Sequence, residues 1–223
     1  MRSERVIPEM VATIAVSGAA EWLALSDDLL AGLVHALNNR VTALSVCAEL
    51  ASMGDEQMLG DGVLVGEVSR LQRVGALVGL LPARSHVPEA LEVAPVLQDA
   101  IALHSHHPRV RAIECVIERE GATQPVRAPR WALLRLLLFF VDAAKTGAQD
   151  ARHGAVTVRL SSDEQSVRVR AIAREIEGAY AAEMATLCDG TLAREGEELV
   201  VTLPSLPELR RRERMGQMPG GSG

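Results

Sequence analysis

The sequence predicts an α+β fold: a long antiparallel helical hairpin, then helices packed on one mostly antiparallel sheet. Three observations predict it. Apolar residues recur at alternating four- and three-residue steps, as Leu30, Val34, Leu37, Val41, Leu44 and again as Leu64, Val68, Leu71, Gly75, Val78, the seam of a helix bundle. A joint with two prolines, "PARSHVPEA", follows. Beyond it, helix-period and strand-period runs are interleaved.

Taken in order, residues 1–25 form an N-terminal segment with the pattern of a short helix broken near Gly18. Ser26 offers an N-cap, with Asp27 and Asp28 in the first turn where they complement the helix dipole. This helix should reach Met53 and stop at Gly54. A second helix, from Gln57 to Leu81, ends at Pro82. Residues 26–82 are thus one hairpin, and a lone hairpin cannot bury both its apolar faces; two copies should pair as a dimeric four-helix bundle. Residues 83–90 read as a linker. Over 91–205 the expected elements are a helix at 94–106, a strand at 110–119 and a long apolar helix at 129–148. Strands at 155–160 and 166–173, a helix at 180–187 and a strand at 198–204 complete the unit. Residues 206–223 read as a charged, Gly-rich tail, a fraying helix end followed by disorder.

Composition narrows the function. The 223 residues are 48% apolar but only 2% aromatic, so Leu, Val and Ala must build the core. A net charge of −6 with few aromatics argues against nucleic-acid binding. Cys47, Cys115 and Cys188 are far apart and odd in number, which fits neither a disulfide scaffold nor a zinc site and points to a reducing cytoplasm. Glu4 and Glu9 interrupt any leader-like run, and no apolar stretch of about 20 residues is long enough for a membrane span. The expectation is a cytoplasmic protein with no membrane or nucleic-acid partner.

The segment most in need of a reason is "LVHALNNRVTAL", Leu33 to Leu44. Asparagine is a poor helix-interior residue because its amide competes for backbone hydrogen bonds. Stepping 100° per residue from the apolar seam puts His35 about 140° away, Asp28 about 160°, Asn39 about 180° and Thr42 about 120°. These side chains should share one outward stripe, flanked by the small Gly32, Ala36 and Ala43, with Val46 as an apolar spot farther along. A surface histidine is the ordinary reading of any single His. The double asparagine favours chemistry: an exposed imidazole can take a phosphoryl group on a ring nitrogen. A carboxamide four residues on can steady that group or a water.

At this point the sequence resembles a family. "HALNNRVTAL" is similar to the H-box of two-component histidine kinases in its H-E-L-N-N-P-L form, and the order hairpin, joint, α+β module matches their layout over Ser26–Pro204. The departures are specific. The acid that follows the histidine in the family is Ala36, which cannot accept a proton, and the usual proline is Arg40. In the motif N-x-x-x-N-A-x-K the asparagines fall on Leu138 and Asp142, while Ala143 and Lys145 match. In D-x-G-x-G the places are held by Ala173, Glu175 and Glu177, whose carboxylates repel a triphosphate. Too little chain lies between Ala173 and Leu192 for the Gly-rich lid.

A retained hairpin with a degenerate ATPase-like sandwich resembles the dimeric histidine phosphotransferases. That resemblance implies a phosphorelay protein that passes phosphoryl groups between receiver-domain aspartates through phospho-His35, with Asn39 as its i+4 partner and Asn38 and Arg40 tuning docking. It implies no cofactor of its own, Mg²⁺ on the partner receiver, and response-regulator receivers, including that of a hybrid kinase, as partners. Two alternatives stand beside it: a divergent ATP-dependent kinase, for which Asp142 and Lys145 speak, and a non-enzymatic pseudokinase-like dimer. "HSHH" (His104, His106, His107) closes a helix, where cations suit the dipole, and is not expected to hold metal. Trp22 and Trp131 should pack in cores, Cys47 should be a half-buried helix residue, and the arginines of 210–214 should be solvated.

Overall fold

The computed structural model describes residues 6–53, 62–82 and 85–216, with side chains in the first helix from Gly18 onward. The helix α1 runs unbroken over Val6–Ser52. The break expected at Gly18 is absent, because Gly18 is where the helix packs against Tyr180, and a Cβ there would stand 3.2 Å from its ring. Ser26 is accordingly no N-cap; its hydroxyl donates back to the Leu23 carbonyl inside the helix. The helix α2 spans Val63–Val78 with Gly62 as N-cap. The expected stop at Gly54 and start at Gln57 lie outside the described residues. The two helices pack against each other.

The second unit opens with β1 (Glu89–Leu91), so the end of the expected linker is a strand, paired antiparallel with β3 (Val126–Ala128). Between them lie α3 (Val93–His104) and β2 (Glu114–Glu120); residues 110–113, expected in the strand, form the turn before it. Then come α4 (Arg130–Asp150), β4 (Ala155–Ser162), β5 (Ser166–Ile172), α5 (Tyr180–Leu187), β6 (Thr191–Glu195) and β7 (Glu198–Pro204). The main sheet has the order β2-β4-β5-β7-β6, with β2–β4 parallel and every other pair antiparallel. Alternation explains its sidedness: Val156, Val158 and Leu160 of β4 and Val167, Val169 and Ala171 of β5 are buried, while Arg159 and Arg168 between them are exposed. The helix α4 is buried nearly all round, Ala132–Leu134 and Leu136–Val141 without a break, which is why it reads as a continuous apolar run.

The tail begins as the expected helix end, and that helix is anchored rather than frayed. Residues Leu206–Gly216 form α6, held at its start by buried Glu208, which takes Arg211 at 2.9 Å and Arg212 at 2.8 Å. The Ser205 hydroxyl meets the Glu208 amide, and Leu206 N–H donates to Pro125. Residues 217–223 lie outside the described part. No helix among the described residues is long and apolar enough to cross a membrane.

One core runs through both units. Leu25, Leu29 and Leu33 of α1 and Val74 and Leu77 of α2 join the leucines of α3 and α4 in a single cluster. Full burial of Leu29 and Leu33 contributes about 2 kcal/mol each.

Candidate functional site

His35 and Asn39 stand one turn apart on α1, both exposed. The Asn39 carboxamide Nδ2 lies 3.2 Å from His35 Nε2. An amide nitrogen only donates, so in the tautomer with the ring proton on Nδ1 it donates to Nε2, whose lone pair becomes the nucleophile once Asn39 turns away. Asn38 is exposed beside them. Ala36 is half-buried against the core.

Arg40 points across to α2. Its guanidinium donates to Glu67 at 3.1 Å, and Arg70 holds the other carboxylate oxygen. Hydrogen bonding from Arg40 holds the Glu67 carboxyl below its usual range, against the opposing pull of burial. This residue therefore ties the two helices together, besides any part in docking.

The outward stripe expected from the helical wheel is split. His35, Asn39 and Thr42 are exposed. Asp28 instead meets the sandwich: it pairs with Arg109, and His107 Nε2 lies 3.5 Å from it. Gly32 sits so close to the turn after α3 that a Cβ would come within 1.7 Å of the His106 carbonyl oxygen. A helical wheel gives faces; it cannot say that a segment distant in sequence will lie on one of them.

The degenerate nucleotide positions cluster apart from His35, on α4 and the segment after β5. Leu138 is fully buried. Asp142 lies 3.9 Å from His107 and 3.7 Å from Arg174. Burial pushes its carboxyl above the usual range, against the opposing pull of His107 and Arg174. Lys145 is 2% exposed and makes no ion pair among the described residues; burial lowers its pKa. Ala173 is buried, with Glu175 and Glu177 exposed beyond it. Arg174 N–H donates to the Ala143 carbonyl, and a Cβ on Gly147 would meet that nitrogen at 2.7 Å. Helix and segment thus close directly on each other.

What sequence reasoning missed is a clamp. The Glu21 carboxylate of α1 accepts from the Tyr180 amide at 3.1 Å, at the start of α5, where negative charge suits the helix dipole. Gly178, at φ +89, leaves room for that carboxylate; a Cβ there would overlap it. Trp22 stacks on Tyr180 with ring centroids 6.2 Å apart. Arg135 of α4 lies 4.0 Å over Trp22 and 5.1 Å from Trp131, and donates to the Tyr180 hydroxyl at 2.7 Å. The tryptophans pack against the core as expected, half-buried, and also flank this cation.

The "HSHH" run divides in the same way. His104 is fully buried, with the Leu138 backbone as its polar neighbour, and it stacks on His107 with centroids 5.3 Å apart. His106 is half-buried against α1. No group of three His, Cys, Asp or Glu with metal-holding geometry occurs among the described residues.

No protein-family model and no curated protein matches the chain. Solved structures do. It is similar to the Acinetobacter baumannii histidine kinase AdeS at 15% identity and TM-score 0.41, over 77% of this chain and 96% of that one. A bacterial phosphotransferase matches at 15% identity and TM-score 0.40, over 81% of this chain and 95% of that one. The catalytic domain of histidine kinase ThkA matches at 14% and 0.41, over 54% of this chain and 97% of that one. These neighbours are histidine-kinase and phosphotransferase structures.

Proposed function

We propose that the chain is a histidine phosphotransferase of a two-component phosphorelay, taking a phosphoryl group from one receiver aspartate and giving it to another without ATP. The observation that carries this is the exposed His35–Asn39 pair, 3.2 Å apart on an open helix face. In the forward step His35 Nε2 attacks phosphorus, the bond from phosphorus to the receiver's aspartyl oxygen breaks, and the carboxylate leaves with that electron pair. Nδ1 then releases its proton to water and takes one back before the return transfer. Asn39, freed from Nε2, donates to a phosphoryl oxygen. The reverse sequence hands the group to the next receiver. Mg²⁺ belongs to the receiver in both steps.

The nucleotide positions support the ATP-independent form. A kinase needs polar groups facing triphosphate and metal; here Leu138 and Lys145 are buried and Asp142 faces His107 and Arg174. Ala36 supplies no base beside the imidazole. The homodimer belongs to the same proposal. Leu30, Val34, Leu37 and Val41 of α1 and Leu64, Val68 and Val78 of α2 are exposed in the single chain, and a second copy burying that seam completes a four-helix bundle. The protein would act in the cytoplasm.

The test is transfer of label from a phosphorylated receiver to the purified protein. Label on wild type and none on His35→Ala supports the reading. Labelling from ATP-Mg²⁺ moves it to the kinase, and label from neither source leaves a binding scaffold.

A further inference from the structure

We propose that the outer face of the sheet carries a second site, an oxyanion notch at the β4–β5 hairpin formed by Arg168, Arg170 and Ser161, suited to phosphate or a phosphomonoester. The notch holds about 180 Å³ and is lined by Ser161, Ser162, Asp163, Ser166, Arg168 and Arg170. Strand alternation puts Arg168 and Arg170 on the face away from α4, since Val167, Val169 and Ala171 are buried. It is therefore separate from the His35 helix.

Charge on this face is uneven. Arg159 and Arg170 are direct cross-strand partners, an arrangement that like charges disfavour. Arg159 is relieved by Glu198 at 2.8 Å and Glu118 at 4.0 Å. Arg170 has no such relief. It donates to the Ser161 hydroxyl at 3.3 Å, and its Nε–H is shut off from solvent with no partner among the described residues. Arg168, paired with Ser161 across the strands, is exposed; it feels the Asp163 carboxylate through space but makes no ion pair with it among the described residues. Its neighbours across β7 are neutral, Thr202 opposite Arg168 and Val200 opposite Arg170.

Of the hairpin's two acids, Asp163 and Glu164, only Asp163 lines the notch, and it is already engaged. Asp163 takes the amides of Gln165 at 2.8 Å and Ser166 at 2.7 Å, and the Ser166 hydroxyl. Those amides hold its carboxyl below the usual range, so it stays ionised on the rim. Two guanidiniums therefore face one committed carboxylate. The Arg170 Nη groups and the exposed Arg168 guanidinium line the notch with no carboxylate paired to them among the described residues, and guanidinium forks match tetrahedral oxyanions. With the Ser161 hydroxyl as a further donor, the notch offers a phosphate group donors from three side chains.

The experiment titrates isotopically labelled full-length protein with inorganic phosphate, against chloride at matched ionic strength, and follows the arginine Nε–H resonances. Saturable shifts of Arg168 and Arg170 with phosphate alone are expected, with a midpoint in the millimolar range that Arg168→Gln raises at least tenfold. Asp163→Asn keeps an oxygen for the turn amides and removes the rim charge, so its midpoint should fall several-fold. A second arm uses O-phosphoserine: a lower midpoint than phosphate assigns the site to organic phosphates, and a higher one assigns it to the free ion. Equal responses to chloride and phosphate, no response to either phosphate probe, or a midpoint unmoved by both variants overturns the proposal.

Discussion

The two halves of α1 share one helix and differ in everything they touch. From Gly18 to Leu33 the helix lies on the sandwich: Glu21 caps α5, Trp22 stacks on Tyr180, Asp28 meets Arg109 and His107, and Leu25, Leu29 and Leu33 are buried. From Val34 onward it is mostly bare, with Val34, Leu37, Val41 and Val46 exposed alongside His35, Asn38 and Asn39. Packing chooses residues in the first half, and in the second the choice is left to partners and chemistry. Because one continuous helix carries both, the clamp fixes the direction in which the histidine faces.

Breaking the contact of α1 with the turn after α3 should cost most. Gly32→Ala puts a methyl group into the His106 carbonyl and should destabilise the fold by about 3 kcal/mol. Gly66→Ala on α2, where a Cβ meets nothing within 4 Å, should stabilise by about 0.5–1 kcal/mol. Denaturant titration of the two variants reads both signs. Leu29→Ala, at a fully buried position, should lose about 3 kcal/mol. Val46→Ala, 49% exposed, should stay within about 0.5 kcal/mol of wild type. Equal losses at the two positions would contradict the division of the helix.

On the bare half the expected effect is on assembly. Val34→Glu with Val41→Glu places charges in the exposed seam and should halve the mass measured by light scattering, while the sandwich keeps its melting transition. A smaller effect concerns pH. Burial lowers the pKa of His104, His106 and His107, so the folded state favours their neutral forms. The unfolded chain takes up protons near the ordinary value of about 6.5 and binds more of them than the folded state. Stability should be fully present above that pH and fall as pH drops below it. The raised Asp142 carboxyl acts with the opposite sign, protonating first in the folded state as pH falls toward the carboxylate range. Melting at pH 7.5 and 5.5 should show the loss, and His104→Leu should shrink it.

How much of this was legible in the sequence depends on the range of the interactions. The helix α5 and the strands β4, β5 and β7 follow from local apolar period, and the structure places them at or within two residues of the expected bounds. The short strands β1 and β3 and the exposed β6 carry no period to read. The charged composition of α6 suggested a fraying helix end, and Glu208 with Arg211 and Arg212 organises that helix locally. The His35–Asn39 pair was visible because i and i+4 always meet on a helix. Glu21 with Tyr180, Asp28 with Arg109, and Arg135 between two tryptophans were not, because each joins segments far apart in the chain. Gly18 illustrates the difference: read locally it is a helix breaker, and in the fold it is a contact.

The most direct test of the central claim is to locate the phosphoryl bond. After incubation with a phosphorylated receiver and no nucleotide, the protein should carry an acid-labile, base-stable phosphoryl group on the peptide containing His35, and ATP-Mg²⁺ alone should leave that peptide unmodified. A phosphoryl group found on another histidine, or on His35 from ATP alone, would contradict the account.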